Sequence, residues 1–348
     1  DEFAEHGFVE AKVDRIAERA ELTRGAVYSN FPGKRALYLA VLVDLVESSA
    51  AGEVPRSSPP SAAAALGAFA RVWLERLPLA GDTPAGGHLQ LRSLAGVVDD
   101  EPARTALAQV TGLEALLLAL ALESGGPRRA GQARRVRLAE LVLTLLHGAG
   151  HLAETTAGVG APFDGARAGE HLAGLDLADT WDPPHLPYVA PAQPSHDPWD
   201  PPAELPDQLT GRQAGLDEDG VVAFLGTSRL AAAEEAVRGA RPGDRVTVVV
   251  LTADPAETGR LVRLRISDLT GCLRRVFPPD RWPRLHLVLD DSALTATAVD
   301  LPDAGDATEA AVRVHDGRIV ARANGRGAAH AAATAGDADT TRSHGPGA

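Results

Sequence analysis

Residues 183–206 contain nine prolines in twenty-four positions, and this density limits how the rest of the chain can fold. Proline lacks a backbone N–H and fixes φ, so this stretch can form neither a helix nor a central strand. We therefore expect a semi-rigid, extended linker within residues 161–214. Its aromatic residues Trp181, Tyr188 and Trp199 are candidates for docking on a neighbouring surface. A chain of 348 residues is long enough for separate domains on either side.

The first fifty residues have the pattern of a helix-turn-helix domain, assigned to residues 1–50. Residues 9–20 place their apolar side chains on one helical stripe. Thr23 is a suitable N-cap for a short helix from Arg24 to Asn30, and a Phe-Pro-Gly sequence ends that helix. A longer helix then begins at Lys34. Two short helices around a tight turn are typical of this DNA-binding motif.

The charge of this segment is opposite to that of the whole chain. The complete sequence has a formal charge of −13, which argues against nucleic-acid binding over the entire surface. Residues 11–40 instead carry a net charge of +3, and local positive charge is what phosphate binding requires. The cations are Lys12, Arg15, Arg19, Arg24, Lys34 and Arg35, against Asp14, Glu18 and Glu21.

The side chains of the second helix suit the major groove of DNA. Thr23 and Arg24 stand at its N-terminal end, where side chains meet base edges and free N–H groups meet phosphates. Gly25 and Ala26 allow a close backbone approach, and Ala26 can pack on a thymine methyl. The other candidates offer polar groups to phosphates or bases, and they are Tyr28, Ser29, Asn30 and Lys34. The alternative is a solvated helical hairpin with ordinary surface charges.

Residues 3–42 resemble the DNA-binding domain of the tetracycline-repressor (TetR) family of bacterial transcription regulators. The matching residues are Phe3, Gly7, Phe8, Val13, Ile16, Ala17, Thr23, Gly25, Tyr28, Phe31, Lys34 and Leu37. The resemblance implies that Arg24–Asn30 is the recognition helix, with Tyr28 and Lys34 on phosphates of double-stranded DNA. Lys12 stands where the family has a capping Thr or Ser, so a charge contact is expected there. The chain begins within the pattern and lacks methionine, so we expect part of the first helix to precede residue 1.

Residues 51–160 are predicted to form a helical effector-binding and dimerisation domain. Helical patterns run over 61–77, 86–98, 101–124 and 134–156. The last two are too rich in leucine and alanine to stand alone in water, and TetR-like proteins pair two such helices in a homodimer. A dimer would hold two recognition helices about one DNA turn apart on a palindromic operator.

An unidentified small-molecule effector is also expected, because TetR-like regulators hold such ligands among these helices. The candidate lining residues are Phe69, Trp73, His88, Leu91 and Leu94. Without a polar constellation that points to a ligand class, membership of the hydrophobic core is the favoured alternative. His147 and His151 have the spacing of metal ligands, but without a third ligand a core or interface pair is favoured over a metal site.

Beyond the prolines the pattern changes to alternating strands and helices. Apolar runs at 221–226 and 245–253 indicate buried strands, and Asp316-Gly317 indicates a hairpin turn. The order β-α-β-α-β-β-β, closed by an alanine-rich segment, predicts an α/β domain with a mixed sheet over residues 215–330. Residues 331–348 are expected to be a disordered tail.

This domain resembles the thioredoxin-like (redoxin) fold through "FLGTS" (224–228), "VVVLTADPAE" (248–257) and "HDGRIVARANG" (315–325). Redox members carry two cysteines three apart at the start of the helix after "TS", where this chain has residues 229–232 without a thiol. The cis-proline expected before the terminal hairpin is also absent, and Cys272 is the single cysteine. We therefore expect no thiol–disulfide chemistry, no catalytic residues and no cofactor.

Together these features predict a multidomain protein, an all-α N-terminal part followed by an α/β thioredoxin-like domain. The leading function is a cytoplasmic, dimeric, sequence-specific transcription regulator, a ligand-responsive repressor that is not an enzyme. One alternative is a thioredoxin-like oxidoreductase or peroxidase with an attached helix-turn-helix. Another is a degenerate redoxin domain that serves for protein interaction or ligand sensing. No apolar run reaches the length needed to cross a bilayer, so no membrane partner is expected.

Overall fold

A computed structural model of the chain describes residues 1–49, 55, 57–77, 89–124, 134–155, 162–202, 205–301 and 303–336. The chain divides into two compact units. A helical unit contains Asp1–Asp179 and Asp254–Arg281, and an α/β unit contains Thr180–Ala253 and Trp282–Ala348. This division differs from the predicted one, because a segment within the predicted 215–330 domain belongs to the helical unit.

The helical unit begins with the helix-turn-helix. Its helices are α1 Glu2–Glu10, α2 Val13–Arg19, α3 Arg24–Asn30 and α4 Lys34–Ser49. The predicted bounds of α3 and the start of α4 are confirmed. The stripe predicted over 9–20 is instead divided between two helices, because Ala11 and Lys12 have extended backbone angles.

Tyr38 on α4 lies at the centre of the helix-turn-helix core. It packs with Phe3 at 4.9 Å between ring centroids and is fully buried. Its hydroxyl donates a hydrogen bond to the backbone carbonyl of Ser93 at 2.9 Å, so the one polar atom of the ring is satisfied. Burial raises the pKa of Tyr38, and the phenol therefore remains a donor.

The longer helices that follow among the described residues of the N-terminal half are α5 Ala62–Leu74, α6 Glu101–Glu123, α7 Val136–Thr155 and α8 Pro162–Leu172. The first three agree with predicted helices. The helix predicted over 86–98 is only partly present where the structure describes it, because residues 89–90 are helical and residues 91–98 form turns and irregular structure. Residues 86–88 lie outside the described residues. Helix α8 falls in the region predicted as linker, and Pro162 occupies its first turn, where proline is tolerated.

Helix α6 is buried along most of its C-terminal half. Of the helices that the structure describes, it alone is long and apolar enough to cross a membrane, with a mean hydropathy of 1.7. However, 61% of that stretch is buried inside the protein. Residues 113–122 of this helix therefore lie in the core of the helical unit.

The α/β unit is built on a mixed sheet, in which the described strands run in the order β1-β6-β5-β2-β3-β4. The strands are β1 Gln193–Pro198, β2 Gly220–Gly226, β3 Arg245–Leu251, β4 Leu285–Leu289, β5 Glu309–His315 and β6 Arg318–Asn324. Strands β2, β3 and β4 are parallel, and the other pairings are antiparallel. The predicted mixed sheet is confirmed, as is the hairpin, whose Asp316 and Gly317 have φ values of 48° and 68°.

The proline-rich segment contributes an edge strand to this sheet. In β1, Pro194 lies opposite Ala321 and Pro198 opposite Arg318 of β6. An edge is where a strand tolerates proline, because N–H groups facing outward need no partner. Trp199 follows, buried, and its indole N–H donates to the Leu216 carbonyl at 2.7 Å. The linker predicted over 161–214 is therefore wrong for residues 193–198, which form a strand. The prolines exclude a central strand, but they do not exclude a strand at the edge of the sheet.

The α/β unit also contains the helices α9 Ala232–Gly239, α11 Leu294–Thr297 and α12 Ala328–Thr334. The remaining long helix, α10 Arg260–Val276, belongs to the helical unit. Helix α12 packs on α9 and on the sheet. Its residues 331–333 are buried alanines, so the predicted tail begins too early. Small side chains let this helix approach the sheet closely, and residues 337–348 lie outside the described residues.

Helix α10 follows β3 in the chain but packs against α4, α5 and α6. Its Leu261 and Leu264 belong to the helix-turn-helix core. Its Arg265 and Asp268 are also largely buried and form ion pairs within the helical unit. A helix with apolar and charged groups buried around most of its circumference needs neighbours on several sides. A single sheet face would cover one side, which explains why α10 lies in the bundle.

Candidate nucleic-acid interface and effector cavity

Thr23 fixes the N-terminal end of α3. Its backbone is extended, with φ −81° and ψ 152°, and its Oγ1 accepts a hydrogen bond from the Ala26 N–H at 3.1 Å. This is the N-cap predicted from the sequence, and such caps contribute about 1 kcal/mol to helix stability. The cap sets the direction in which Arg24 and Gly25 leave the turn.

Helix α3 is anchored by one buried side chain, Val27, which is 6% exposed. Ala26 is half-buried, and the other residues of the helix are exposed, Tyr28 by 38%. Leu22, just before the cap, is 53% exposed. A helix that buries so little against its own chain leaves a whole face open to a groove of DNA.

Arg24 is paired loosely at the surface. Its Nη1 lies 3.2 Å from Asp14 Oδ1, and its guanidinium lies 5.4 Å from the centre of the Tyr28 ring. Both charged side chains are more than 60% exposed. An ion pair of this kind contributes less than about 1 kcal/mol, so Arg24 can exchange Asp14 for a base or phosphate at little cost.

The side chains of Ser29 and Asn30 donate hydrogen bonds within their own helix. Ser29 Oγ and Asn30 Nδ2 both donate to the Ala26 carbonyl, at 2.8 and 3.0 Å. The predicted contacts to phosphates or bases therefore require these exposed bonds to exchange. At Gly25, an added Cβ would meet nothing closer than Thr23 Oγ1 at 3.9 Å. The chain itself thus leaves room there, and the open space faces whatever approaches α3.

Lys34 is half-buried rather than free. Its ammonium donates to the carbonyls of Val9 at 3.0 Å and Ala11 at 3.3 Å, and it lies 4.7 Å from the Phe8 ring centre. Two of its three donors thus cap the end of α1, and one is left for a phosphate. Lys12 is exposed at the N-cap of α2, where its backbone N–H donates to Glu2 at 3.2 Å.

The structure also reduces the positive charge that the sequence count assigned to this region. Arg19 donates to both carboxylate oxygens of Glu5, at 2.8 and 2.7 Å. Arg35 donates to Asp100 at 2.7 Å and to Glu257 at 2.5 Å. These two cations are therefore engaged inside the unit. In the described part of the helix-turn-helix, Lys12 and Arg15 have no ion-pair partner.

The helical unit contains a cavity of about 570 Å³. Apolar side chains form much of its wall, and they are Leu91, Leu94, Val98, Leu107, Leu146 and Leu264. Of the predicted effector residues, Leu91 and Leu94 are in this wall. Phe69 and Trp73 are fully buried in the core, and His88 lies outside the described residues.

One end of the cavity is charged, and sequence analysis missed its residues. Asp268 pairs with Arg76 and, at 3.0 Å, with Arg92. Burial alone would raise the pKa of Asp268, but the charges of Arg76 and Arg92 outweigh it and hold that pKa below its ordinary value. The carboxylate therefore remains ionised. These residues are distant in sequence, so only folding brings them together.

Arg265, also in the cavity wall, pairs with a buried acid behind it. It donates through Nε and Nη2 to the two oxygens of Glu114, at 2.9 and 2.6 Å. Its Nη2 also donates to His147 Nε2 at 2.5 Å. Burial and then the charge of Arg265 lower the pKa of His147 to about 3, so the imidazole is neutral. Sequence analysis also missed this pair, although a glutamate within the leucine-rich stretch at 113–122 is a signal that could have indicated it.

His147 and His151 do not come together as metal ligands. His147 packs edge-on against Trp73 with 5.1 Å between ring centres. His151 is 77% exposed and lies 3.7 Å from Glu154. The different environments of the two rings favour the expected core role for His147 over a shared metal site.

In the α/β unit, a hydrogen-bond network lies at the carboxyl ends of β2 and β3, directly before residues 229–232. Asp306 accepts from the hydroxyls of Thr227 at 2.8 Å and Thr252 at 2.7 Å, at the carboxyl ends of β2 and β3. Ser228 donates to its backbone carbonyl. Cys272 lies in the other unit, on α10, where burial raises the pKa of its thiol to about 12. No thiol chemistry is assembled at this edge of the described sheet.

The comparisons with known proteins agree with the geometry of α1 to α4. Residues 1–41 match the model of the family described as bacterial regulatory proteins, tetR family. No curated protein matches the chain, and no solved structure matches it. The first forty-one residues thus carry a tetR-family domain, which supports a DNA-binding transcriptional regulator.

Proposed function

We propose that the protein is a ligand-responsive repressor that binds a palindromic operator as a homodimer. The observation that carries the proposal is the exposed α3, capped at Thr23 and anchored by Val27, within the segment that matches the tetR family. In this role α3 enters the major groove of double-stranded DNA, with Arg24, Gly25 and Ala26 nearest the bases. The other contacts to phosphates or bases come from Lys12, Thr23, Tyr28, Ser29, Asn30 and Lys34.

The dimer interface is proposed on α7. This helix exposes Leu141, Leu145 and Leu152 by 39%, 38% and 54%, and their spacing places them along one side. The resemblance to TetR-like proteins implied that both α6 and α7 take part in the interface, but the C-terminal half of α6 is buried within the unit. An exposed leucine stripe on a long helix is a typical self-association surface, because pairing two copies removes it from water.

Release by a ligand is supported by the position of α10 between the cavity and α4. Leu264 lines the cavity and also belongs to the helix-turn-helix core. One turn earlier, Arg260 donates to the Ala36 carbonyl at 3.2 Å, and Glu257 pairs with Arg35. A ligand that displaces Leu264 would therefore shift the contacts that position α4, and with it α3.

The α/β unit is proposed to be a thioredoxin-like domain without enzymatic activity. Its mixed sheet, the helix α9 that follows β2, and the terminal hairpin support the fold, although α10 between β3 and β4 belongs to the helical unit. The hydrogen-bond network around Asp306 and the absence of thiols at residues 229–232 support an interaction or ligand-sensing role over a redox one. An oxidoreductase or peroxidase remains the alternative, and consumption of peroxide by the full chain would favour it. The regulator is proposed to act in the cytoplasm, without a membrane partner.

The test of the regulator is fluorescence anisotropy of the full chain with DNA from upstream of its own gene, over a salt series. An unrelated DNA of equal length is the control. We expect tighter binding to the upstream DNA, with affinity falling steeply as salt rises. Equal affinity for both DNAs, or no salt dependence, would count against a sequence-specific regulator.

A further inference from the structure

The charged end of the cavity contains an uncompensated positive charge. Asp268 is one carboxylate shared by two guanidiniums, those of Arg76 and Arg92. All three side chains are largely buried, with exposed fractions of 12%, 13% and 19%. A buried group with net charge is costly unless an opposite charge is nearby. The structure thus holds a site in which an anion would be stabilised.

The neighbouring charges do not remove this excess. Arg265 is neutralised by Glu114, and His147 is neutral. The remaining acid of the wall, Glu154, lies on α7 beside His151. Its charge raises the pKa of Tyr38, and Glu154 is not among the charges that shift the pKa of Asp268 or of Arg265. Burial raises the pKa of Glu114 more than Arg265 lowers it, so any protonation of Glu114 adds to the positive charge rather than cancelling it.

The arginines also retain donors for a ligand. Nη1 of Arg76 donates a hydrogen bond to Asp268, and Nη1 of Arg92 donates to the Gln90 carbonyl at 2.7 Å. Nε of Arg92 lies 3.0 Å from Asp268 as an ion pair, but it is buried without a hydrogen-bond partner. Glu114 engages Nε and Nη2 of Arg265. Among the described residues, Nη2 of Arg76, Nη2 of Arg92 and Nη1 of Arg265 have no hydrogen-bond partner. Guanidinium N–H groups match the two oxygens of a carboxylate.

We propose that the cavity binds a carboxylate attached to an apolar chain, with the carboxylate held by Arg76, Arg92 and Arg265. The inference rests on the proposed ligand-responsive function and names the chemical class of the ligand. The apolar chain lies along the leucine-rich wall formed by Leu107, Leu146 and Leu264 with their neighbours. A volume of about 570 Å³ is within the usual range for small-molecule sites.

The larger cavity fits this ligand better than the adjoining smaller one. A second cavity of about 280 Å³ also reaches Arg76, Arg92 and Asp268. Its other walls include Glu75 and Arg275, which pair at 2.7 Å, and Gln90. The smaller space is polar on several sides and therefore offers little apolar surface to an attached chain.

Helix α10 supplies Arg265 and Asp268 to this site, although it follows the proline-rich segment and β3 in the chain. The ligand site is therefore incomplete without residues 254–281. Residues 254–281 would therefore provide ligand contacts that neither the helix-turn-helix nor the sheet provides.

The test is isothermal titration calorimetry of the full chain with decanoate, below its micelle-forming concentration. The uncharged probe is 1-decanol and the cationic probe is decyltrimethylammonium. We expect one decanoate to bind per chain, at least about tenfold more tightly than 1-decanol or decyltrimethylammonium. Neither of these two probes has a carboxylate that can form charge-assisted hydrogen bonds with the arginines. Equal binding of decanol, or no saturable binding of decanoate, would overturn the proposal.

Two variants locate the site. Arg92→Gln should weaken decanoate binding about tenfold or more, with Arg71→Gln on the exposed face of α5 as the matched control. Gly150→Leu should abolish binding by filling the cavity, since a side chain at Gly150 meets nothing within 4 Å and the helix is retained. Gly112→Leu, equally open but outside the wall, is its control. Unchanged binding in both test variants would refute the location.

The same samples separate the ligand from the regulatory function. Anisotropy with upstream DNA is measured with and without decanoate. Decanoate that binds in the cavity without changing the affinity for DNA supports the ligand class and contradicts the proposed release. A wild-type chain that fails to bind its upstream DNA contradicts the regulator, while calorimetry still decides the ligand.

Discussion

The ion pair between Glu114 and Arg265 provides a direct test of the position of α10. Glu114 has no exposed side-chain surface, and Arg265 is 16% exposed. Removing one partner of a buried, hydrogen-bonded pair leaves an uncompensated charge and costs about 3–5 kcal/mol. Glu114→Gln should therefore lower the opening free energy of α10 by about this amount. Replacing both residues by Leu and Met should cost far less than the two single changes together, because no buried charge remains.

The two single variants should differ in their dependence on pH. Burial raises the folded-state pKa of Glu114 above its ordinary value of 4.5, and Arg265 partly opposes that rise. In Arg265→Met the opposition disappears and the folded-state pKa rises further. Below pH 4.5 the acid is then neutral in both the folded and unfolded states. As pH rises through the window above 4.5, the folded state resists ionisation and the penalty grows. In Glu114→Gln the arginine stays charged, so its penalty should vary little over the same window.

Hydrogen exchange measured by mass spectrometry on peptides from residues 260–276 is the assay, at pH 5 and pH 7. It reports the opening of α10 without requiring the two units to unfold together. Arg104→Met is the control, because Arg104 and Glu101 form an exposed pair worth less than about 1 kcal/mol. If the penalties of Glu114→Gln and Arg265→Met simply add in the double variant, the two groups do not interact. The placement of α10 beside α6 would then be wrong.

Three further outcomes are expected. In anisotropy measurements, Arg24→Ala should weaken binding to the operator by about 1–3 kcal/mol. Lys34→Ala should weaken binding to all DNA and lower the salt slope by about one, whereas the control Arg104→Ala should change neither the affinity nor the salt slope. A loss in Lys34→Ala that is specific to the operator would contradict the assignment of Lys34 to a phosphate. Leu145→Glu should convert dimers to monomers in analytical ultracentrifugation, whereas Leu294→Glu, at another exposed leucine in the α/β unit, should not. Persistence of the dimer in Leu145→Glu would exclude α7 as the interface. Cys272, with its pKa raised from 9.0 to about 12, should be alkylated by iodoacetamide on the order of a thousandfold more slowly in the folded chain than in urea at pH 8. Equal rates would show that the folded chain does not raise the pKa of this thiol.

The helix-turn-helix could be predicted from the sequence because its signals are local. The cap at Thr23, the stop after Asn30 and the start of α4 at Lys34 each depend on residues within one turn. The charge count was less successful. It treated Arg35 as available to DNA, whereas Arg35 pairs with Asp100 and Glu257, which lie 65 and 222 residues away. A count over a window cannot include partners outside that window.

The edge strand and the last helix show a second limit of local patterns. Proline in residues 193–198 removes N–H donors, which excludes a central strand but permits an edge position beside β6. The alanines of α12 lack an apolar stripe of large side chains, and yet their small size allows close packing on the sheet. In both segments the structure is decided by the neighbouring element rather than by the segment's own composition.

The cavity was predictable only in its apolar part. Leu91 and Leu94 were candidate lining residues, although membership of the hydrophobic core was the favoured alternative, and both lie in the cavity wall. Its charged end combines Arg76, Arg92 and Asp268, which are joined by no motif and come from segments almost two hundred residues apart. Helical periodicity predicts α10 but does not reveal that its polar residues face a cavity rather than solvent, because exposed and buried ion pairs have the same sequence pattern.

The position of α10 also determines which truncations can reveal what the α/β unit does. A deletion of residues 183–348 would remove α10, and with it Leu261 and Leu264 from the helix-turn-helix core. It would also leave Glu114 buried without Arg265. Loss of DNA binding in such a truncation would follow from damage to the helical unit, whatever the sheet contributes. Substitutions that leave residues 254–281 intact are therefore needed, such as Asp306→Ala at the ends of β2 and β3, whose effect is confined to the α/β unit.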